Sequence, residues 1–128
     1  MSQLNLSTET SYDYTTTDGS FHNTGSYDLP EGTSTILDTE IIAVTSSGVT
    51  ARWRLSVIMK RVGSGDITIG PGTVVDLIQP QKDLGALTWD VRFNLLGSYF
   101  NLEVKGAANT TVNWLLRGGF TDSVPHSI

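Results

Sequence analysis

The residues best suited to acid–base or nucleophilic chemistry are two histidines, His22 and His126. A Ser-His-Asp or Cys-His site needs a histidine that is held beside its nucleophile. The chain has no cysteine, which excludes a cysteine nucleophile and a thiolate metal site. Hydroxyl side chains are so abundant that a chance neighbour of either histidine is expected. The sequence therefore favours neither a hydrolase nor a two-histidine zinc site.

Carboxylates are the other candidates for chemistry. Thirteen Asp and Glu residues could supply a glycosidase pair, but they are scattered over predicted strand ends and outer faces. Asp13 and the stretch 18–20 have only a faint likeness to a calcium loop, because the spaced ligands and the closing Glu of an EF-hand are absent. The Gly-rich stretches at 63–65 and 70–72 precede no helix, so they lack the helix N-terminus that binds phosphate. We expect a protein that is not an enzyme and that has no cofactor and no metal.

The elements that would position any site are strands. From Ala86 to Phe120 apolar and polar residues alternate in three runs, which are separated by short breaks at 97–98 and 106–109. A period of two indicates a strand with one buried face, and short turns join antiparallel neighbours. This third of the chain therefore predicts a three-stranded antiparallel meander.

The rest of the chain continues the pattern. Turn residues divide it at regular intervals, and no segment has a helical period. We predict an all-β fold, an antiparallel β-sandwich of about eight strands and of jelly-roll type. The predicted strands lie near residues 20–28, 35–45, 49–62, 66–69, 73–79, 86–96, 99–105 and 110–120.

Three tryptophans, Trp53, Trp89 and Trp114, lie in the apolar phase of their strands. Flat aromatic side chains could form a platform for sugars, but this phase favours burial in the sandwich core. Phe93 and Leu102 share the same apolar phase, and we predict that both belong to that core.

Length and charge limit the domain count and the partners. At 128 residues the chain is one domain by size, and it carries a net charge of −5. A negative chain does not suit phosphate binding, so we expect no nucleic-acid partner. No apolar run approaches the ~20 residues of a membrane span, and the N-terminus does not resemble a secretory signal. We predict an N-terminal arm at 1–18, a sandwich domain at 19–121 and a C-terminal tail at 122–128.

Two groups of residues are candidates for contacts with other proteins. Arg52, Arg54 and Lys60 place positive charge on one face of the longest predicted strand. That face is either a solvated surface or a contact with an acidic partner across a subunit boundary. Tyr12 and Tyr14 lie in the Ser- and Thr-rich arm, which could add a strand to the sheet edge of a neighbour.

One pattern resembles a known family. It consists of W-D-V at 89–91, of L-E-V-K-G-A-A-N-T-T-V-N-W at 102–114, and of T-A-R-W-R-L at 50–55. This series resembles the small β-sandwich structural proteins of tailed bacteriophages, in which a W-x-V strand, a V-x-G-x-A stretch and a T-V-x-W strand close the fold. The resemblance implies a virion component, often trimeric, that serves either as a head decoration protein or as a module of a tail fibre.

Because the chain starts at its own Met and ends soon after its last strand, we expect a free-standing capsid decoration, or cement, protein. Such a protein would be assembled in the host cytoplasm, would bind the major capsid protein on the outer head surface, and would be a homotrimer. The alternative is a tail-fibre or receptor- and glycan-binding module of a phage tail.

Overall fold

The chain folds into two antiparallel sheets that pack face to face, which confirms the predicted all-β sandwich. The computed structural model describes residues 10–69, 75–120 and 124–126. A single 3-10 turn in this described part spans Leu84–Ala86. The strands are β1 (Thr10–Thr16), β2 (Phe21–Asp28), β3 (Thr33–Val44), β4 (Thr50–Arg61), β5 (Ile67–Ile69), β6 (Val75–Lys82), β7 (Asp90–Leu96), β8 (Tyr99–Lys105), β9 (Val112–Phe120) and β10 (Val124–Pro125).

The two sheets differ in size. The large sheet has the order β1-β9-β3-β4-β5, with β6 also paired to β4 and β10 to β3. The small sheet has the order β2-β8-β7. Strand β1 thus pairs with β9 and β2 with β8, a nested pairing that is typical of jelly rolls. The long β3–β4 hairpin stays within the large sheet, so that sheet provides the broader outer face of the molecule.

The predicted strand boundaries differ from the structure before β7. The apolar phase predicted a strand from residue 86, but β7 begins at Asp90. The preceding residues form a turn, in which the Trp89 amide donates a hydrogen bond to the carbonyl of Ala86. Leu87 is consequently 59% exposed, although its phase suggested burial. Pro80 lies in β6, which among the described strands pairs with β4 alone, so it occupies an edge strand as expected of a proline.

Part of the predicted N-terminal arm forms a strand of the large sheet. Residues Thr10–Thr16 pair in register with β9, from Thr10 opposite Gly118 to Thr16 opposite Val112. The sandwich therefore includes these seven residues, because Thr and Tyr side chains suit a pleated, half-buried surface. Residues 1–9 of the predicted arm lie outside the described residues.

The predicted tail also contributes to the sheet. Val124 and Pro125 pair with the start of β3. The amide of His126 donates to the Gly32 carbonyl at 2.8 Å, and the His126 ring lies 2.7 Å from the Ser34 hydroxyl. The fold consequently holds the chain as far as His126, whereas the predicted domain ended at residue 121.

The core consists of two groups of buried side chains. One surrounds the three tryptophans, with the Trp53 and Trp114 rings 5.6 Å apart and the Trp89 and Trp114 rings 6.2 Å apart. Leu102 belongs to this group, and Phe93 is half-buried against both groups. The second group is Leu29, Leu37, Val57, Met59, Ile67 and Phe100. The tryptophans are 1–2% exposed, so they do not form a platform for sugars.

A buried hydrogen bond joins the first strand to the tryptophan core. The indole Nε1 of Trp114 donates to the hydroxyl of Thr16 at 3.0 Å, and both residues are buried. A buried donor without a partner costs free energy, so this contact requires β1 to be in place. Trp89 differs, because its buried Nε1 has no partner among the described residues.

Replacing Thr16 by Val should lower the free energy of unfolding by about 1–3 kcal/mol, because the shape is kept while the Trp114 Nε1–H loses its acceptor. The matched control is Thr15→Val, which removes only an exposed hydrogen bond to Asn113. That control should change stability by less than about 0.5 kcal/mol. Chemical denaturation of both variants checks this, and equal losses would contradict the assigned role of the buried bond.

A deletion of residues 2–17 should destabilise the fold, because it removes β1, exposes the edge of β9 and leaves the Trp114 indole unpaired. A deletion of residues 2–9 leaves β1 intact and serves as the control. We expect a clearly lower melting temperature for the longer deletion alone. If both proteins melt like the wild type, β1 is not an integral strand of the sandwich.

Candidate functional site

The three predicted contact cations lie on the outer face of the large sheet. Along β4 the residues at odd positions from Ala51 to Met59 are buried, so those at even positions point outward. Arg52, Arg54 and Lys60 occupy that outward row. Alternation along β9 places Arg117 on the same face, opposite Glu40 of β3. Half of the eight cations of the chain thus lie on one face.

Glu40 is the centre of this face. Its Oε2 accepts hydrogen bonds from Arg52 Nε at 2.9 Å and Nη2 at 2.5 Å. Its Oε1 accepts from Arg117 Nη2 at 2.6 Å. Hydrogen bonds from Arg117 and then from Arg52 lower the pKa of the Glu40 carboxyl. One carboxylate therefore holds two guanidinium groups, each of which belongs to a different neighbouring strand.

Arg54 is the third arginine of the group. It lies directly across from Glu40 in the β3–β4 register, is exposed, and forms no ion pair with the described residues. A groove of ≈ 450 Å³ opens beside it. We call this feature the arginine groove, and its lining is Asp38, Thr39, Glu40, Arg52, Arg54, Arg117 and Gly118.

An apolar pair adjoins the arginine groove on the same face. Ile36 and Ile58 are opposite each other in the β3–β4 register and are 38% and 55% exposed. Lys60 is exposed one outward position beyond Ile58. The sequence offered one signal for this patch, because Ile58 breaks the alternation of β4. It gave no signal for Ile36, Glu40 or Arg117, since their positions depend on how β3 and β9 pair.

The two predicted contact tyrosines lie on β1, whereas the predicted contact cations lie on β4. Tyr12 lies opposite Leu116 in the pairing of β1 with β9. The Tyr14 side chain is half-buried against the tryptophan core, and its ring centre is 6.3 Å from that of His22. Tyr14 is therefore a packing residue of the sandwich rather than part of a free arm.

His22 does lie beside a hydroxyl and a carboxylate, but the geometry is not that of a catalytic triad. Its Nε2 is 2.8 Å from Asp18 Oδ1 and 3.4 Å from Ser20 Oγ. A triad needs the carboxylate on one ring nitrogen and the nucleophile on the other. The Ser20 hydroxyl also donates to Asp18 at 2.7 Å. Hydrogen bonds from His22 and Ser20 lower the pKa of the Asp18 carboxyl, which fits a surface turn held by polar contacts.

The outer face of the small sheet is a second polar surface. Ser26 Oγ donates to Asn101 Oδ1 at 2.7 Å, and Arg92 Nε and Asn94 Nδ2 donate to the two Glu103 oxygens at 2.7 and 3.3 Å. Asn101 and Glu103 are only 6% and 8% exposed, although they face outward. Their hydrogen-bonded neighbours on β2 and β7 cover them, and the result is a polar face whose groups bond to one another.

Within the described residues, no group of three or more His, Asp or Glu side chains is arranged to hold a metal ion. A cleft of ≈ 340 Å³ opens between β4, β6 and β7, with apolar residues such as Trp53 and Phe93 in its lining. Its two cationic residues, Lys82 and Arg92, donate to the Trp89 carbonyl and to Glu103, respectively. In the described part of the chain, no helix is long and apolar enough to span a membrane.

Comparison with known proteins does not identify a family for this chain. No protein-family model matches the sequence, and the comparison with curated proteins finds no match. Among solved structures, the chain is similar to the tailspike protein of Acinetobacter baumannii phage AM24, with a TM-score of 0.49 and 12% identity. The similarity covers 93% of this chain and 27% of the tailspike chain, so this chain spans about a quarter of the tailspike's length. A likeness at this level carries no argument about function.

The Glu40 contacts give a pH-dependent contribution to stability. Because the folded pKa of Glu40 is lowered from its ordinary value of 4.5, this contribution is present above the unfolded pKa and is lost as the pH falls through the folded pKa. We expect Glu40→Gln to lower the free energy of unfolding by about 1–2 kcal/mol at pH 6, a moderate figure because both arginines are partly exposed.

Denaturant titrations at pH 6, 4 and 3 check this prediction. The difference between wild type and Glu40→Gln should shrink as the pH falls, because the unfolded wild-type carboxyl takes up a proton before the folded Glu40 carboxylate does. Glu31→Gln, in the exposed turn between β2 and β3, is the matched control and should show no such trend. A difference that stays constant from pH 6 to 3 would contradict the ionic role of Glu40.

Proposed function

We propose that this chain is a non-catalytic structural protein of a tailed-phage virion, and specifically a decoration protein that binds the major capsid protein on the outer head surface and stabilises the shell. The support from sequence is the motif series at 50–55, 89–91 and 102–114, which resembles phage structural sandwiches. The role requires a stable fold and a broad binding face rather than a reactive centre.

The observation that carries the proposal is the outer face of the large sheet. Its central strands β3 and β4 each have 12 residues, and their outward side chains combine a charged centre with the exposed pair Ile36 and Ile58. Stable protein interfaces combine an apolar area with polar and charged surroundings, and arginine is enriched in them. Such a face suits permanent attachment to another protein.

The proposed assembly is a homotrimer. Among the described strands, β1 is an edge of the large sheet, and β2 and β7 are the edges of the small sheet. Unpaired edges invite contact with other chains, and a closed ring of copies would cover some of them. The partners in this proposal are the capsid shell and further copies of the chain, without nucleic acid, membrane or cofactor.

A second candidate is a receptor- or glycan-binding module of a phage tail. The outer face of the small sheet favours it, because side-chain amides, a carboxylate and a guanidinium form two hydrogen-bonded groups there. Such groups can bind the hydroxyls of a sugar. The surface does not present a stacked aromatic platform, since Arg92 covers the Phe21 ring at 3.9 Å.

Copy number separates the two candidates. Quantitative mass spectrometry of purified virions of the encoding phage should give hundreds of copies per particle for a decoration protein and a few to dozens for a tail module. Virions that lack the gene should lose heat resistance if the protein stabilises the shell. A count in the dozens with unchanged heat resistance would overturn the decoration role and favour the tail module, and absence from the virion would overturn both.

A further inference from the structure

The arginine groove has more positive than negative side chains, in a chain whose net charge is −5. Three arginines line it, against the carboxylates of Glu40 and Asp38. Both oxygens of Glu40 are engaged by Arg52 and Arg117, so that carboxylate fixes two guanidiniums without neutralising the third. The groove therefore has one more positive than negative side chain, and Arg54 is its arginine without an ion-pair partner among the described residues.

The arginine side chains of the groove are arranged to bind an anionic group. A guanidinium presents a planar set of donors that matches a carboxylate, and its hydrogen bonds to charged acceptors are among the strongest in proteins. Arg52 and Arg117 are held in place by Glu40, and their side chains remain 39% and 47% exposed. Donors that are already ordered lose less entropy when a ligand binds.

We propose that the arginine groove binds a carboxylate on the acidic surface of another protein, and that Arg54 forms the ion pair with it while Ile36 and Ile58 cover apolar surface of the same partner. This inference deepens the proposed function, on which it rests only for the identity of the partner as a virion subunit. The adjacent apolar pair favours a protein over an anionic polysaccharide. A polysaccharide is rich in hydroxyl groups and has little apolar surface with which to cover Ile58, which is 55% exposed.

The first test measures binding of poly-L-glutamate to the full chain by calorimetry at low ionic strength, with polygalacturonate as the polysaccharide probe. Wild type should bind poly-L-glutamate more tightly than polygalacturonate, and added salt should weaken that binding. Arg54→Gln should weaken it by about tenfold, and Arg54→Lys should weaken it less. Lys105→Gln removes the same charge from the small sheet and should leave binding unchanged.

Several results would overturn the inference. These are the absence of poly-L-glutamate binding, tighter binding of polygalacturonate, or equal losses in Arg54→Gln and Lys105→Gln. Circular dichroism and melting curves of each variant exclude a loss caused by unfolding. Sedimentation of the wild type and of Arg54→Gln compares their oligomeric states. If the substitution dissociates an oligomer, the acidic partner is a second copy of the chain, and the assignment to a different protein is overturned.

A second arm separates this inference from the proposed function. Capsids stripped of the protein are incubated with wild type, Arg54→Gln or Lys105→Gln, and occupancy is measured. If Arg54→Gln loses occupancy while Lys105→Gln keeps it, the result supports both the groove contact and the decoration role. If Arg54→Gln decorates capsids as fully as wild type, the groove is not the contact although the decoration role stands. If wild type fails to bind capsids but still binds poly-L-glutamate through Arg54, the decoration role falls and the groove remains.

Discussion

The register of β4 against β3 determines both faces of the large sheet at once. Trp53 and Leu55 point into the core, so Arg52, Arg54 and Ser56 must point outward. A shift of one residue would bury two arginines and expose the tryptophan, and burying an unpaired charge is far more costly than any surface contact is favourable. The binding face proposed for this protein is therefore a direct consequence of its core, and it cannot vary without unfolding the sheet.

Glu40 links that register to the electrostatics of the surface. It lies on β3, between β4 and β9, and its two oxygens reach an arginine on each side. One carboxylate on β3 thus bonds to side chains of both neighbouring strands, and the same hydrogen bonds lower its pKa. Close packing supports this arrangement at Gly118 of β9, where an added Cβ atom would lie 2.5 Å from the Asp38 carbonyl oxygen. The strands approach too closely there for any side chain.

Alternation predicted the class of fold, the inward position of all three tryptophans and the outward row of β4, because a period of two directly reports which face is buried. It failed where local hydrogen bonds replace the strand, as at Leu87, and where a polar segment becomes a strand only by pairing with a distant one, as in Thr10–Thr16 with β9. The partners of Arg52 and the exposed neighbour of Ile58 could not be predicted, since contacts across strands depend on the sheet order. The comparisons with known proteins add no functional residues.

The most direct measurement is a cryo-EM reconstruction of the virion at a resolution that orients this sandwich on the particle. We predict that the protein lies on the outer surface of the head, with the outer face of the large sheet against the shell and an acidic side chain of the capsid protein at Arg54. A particle whose density shows that face exposed to solvent, with the small sheet or a strand edge in contact, would contradict the assigned binding surface.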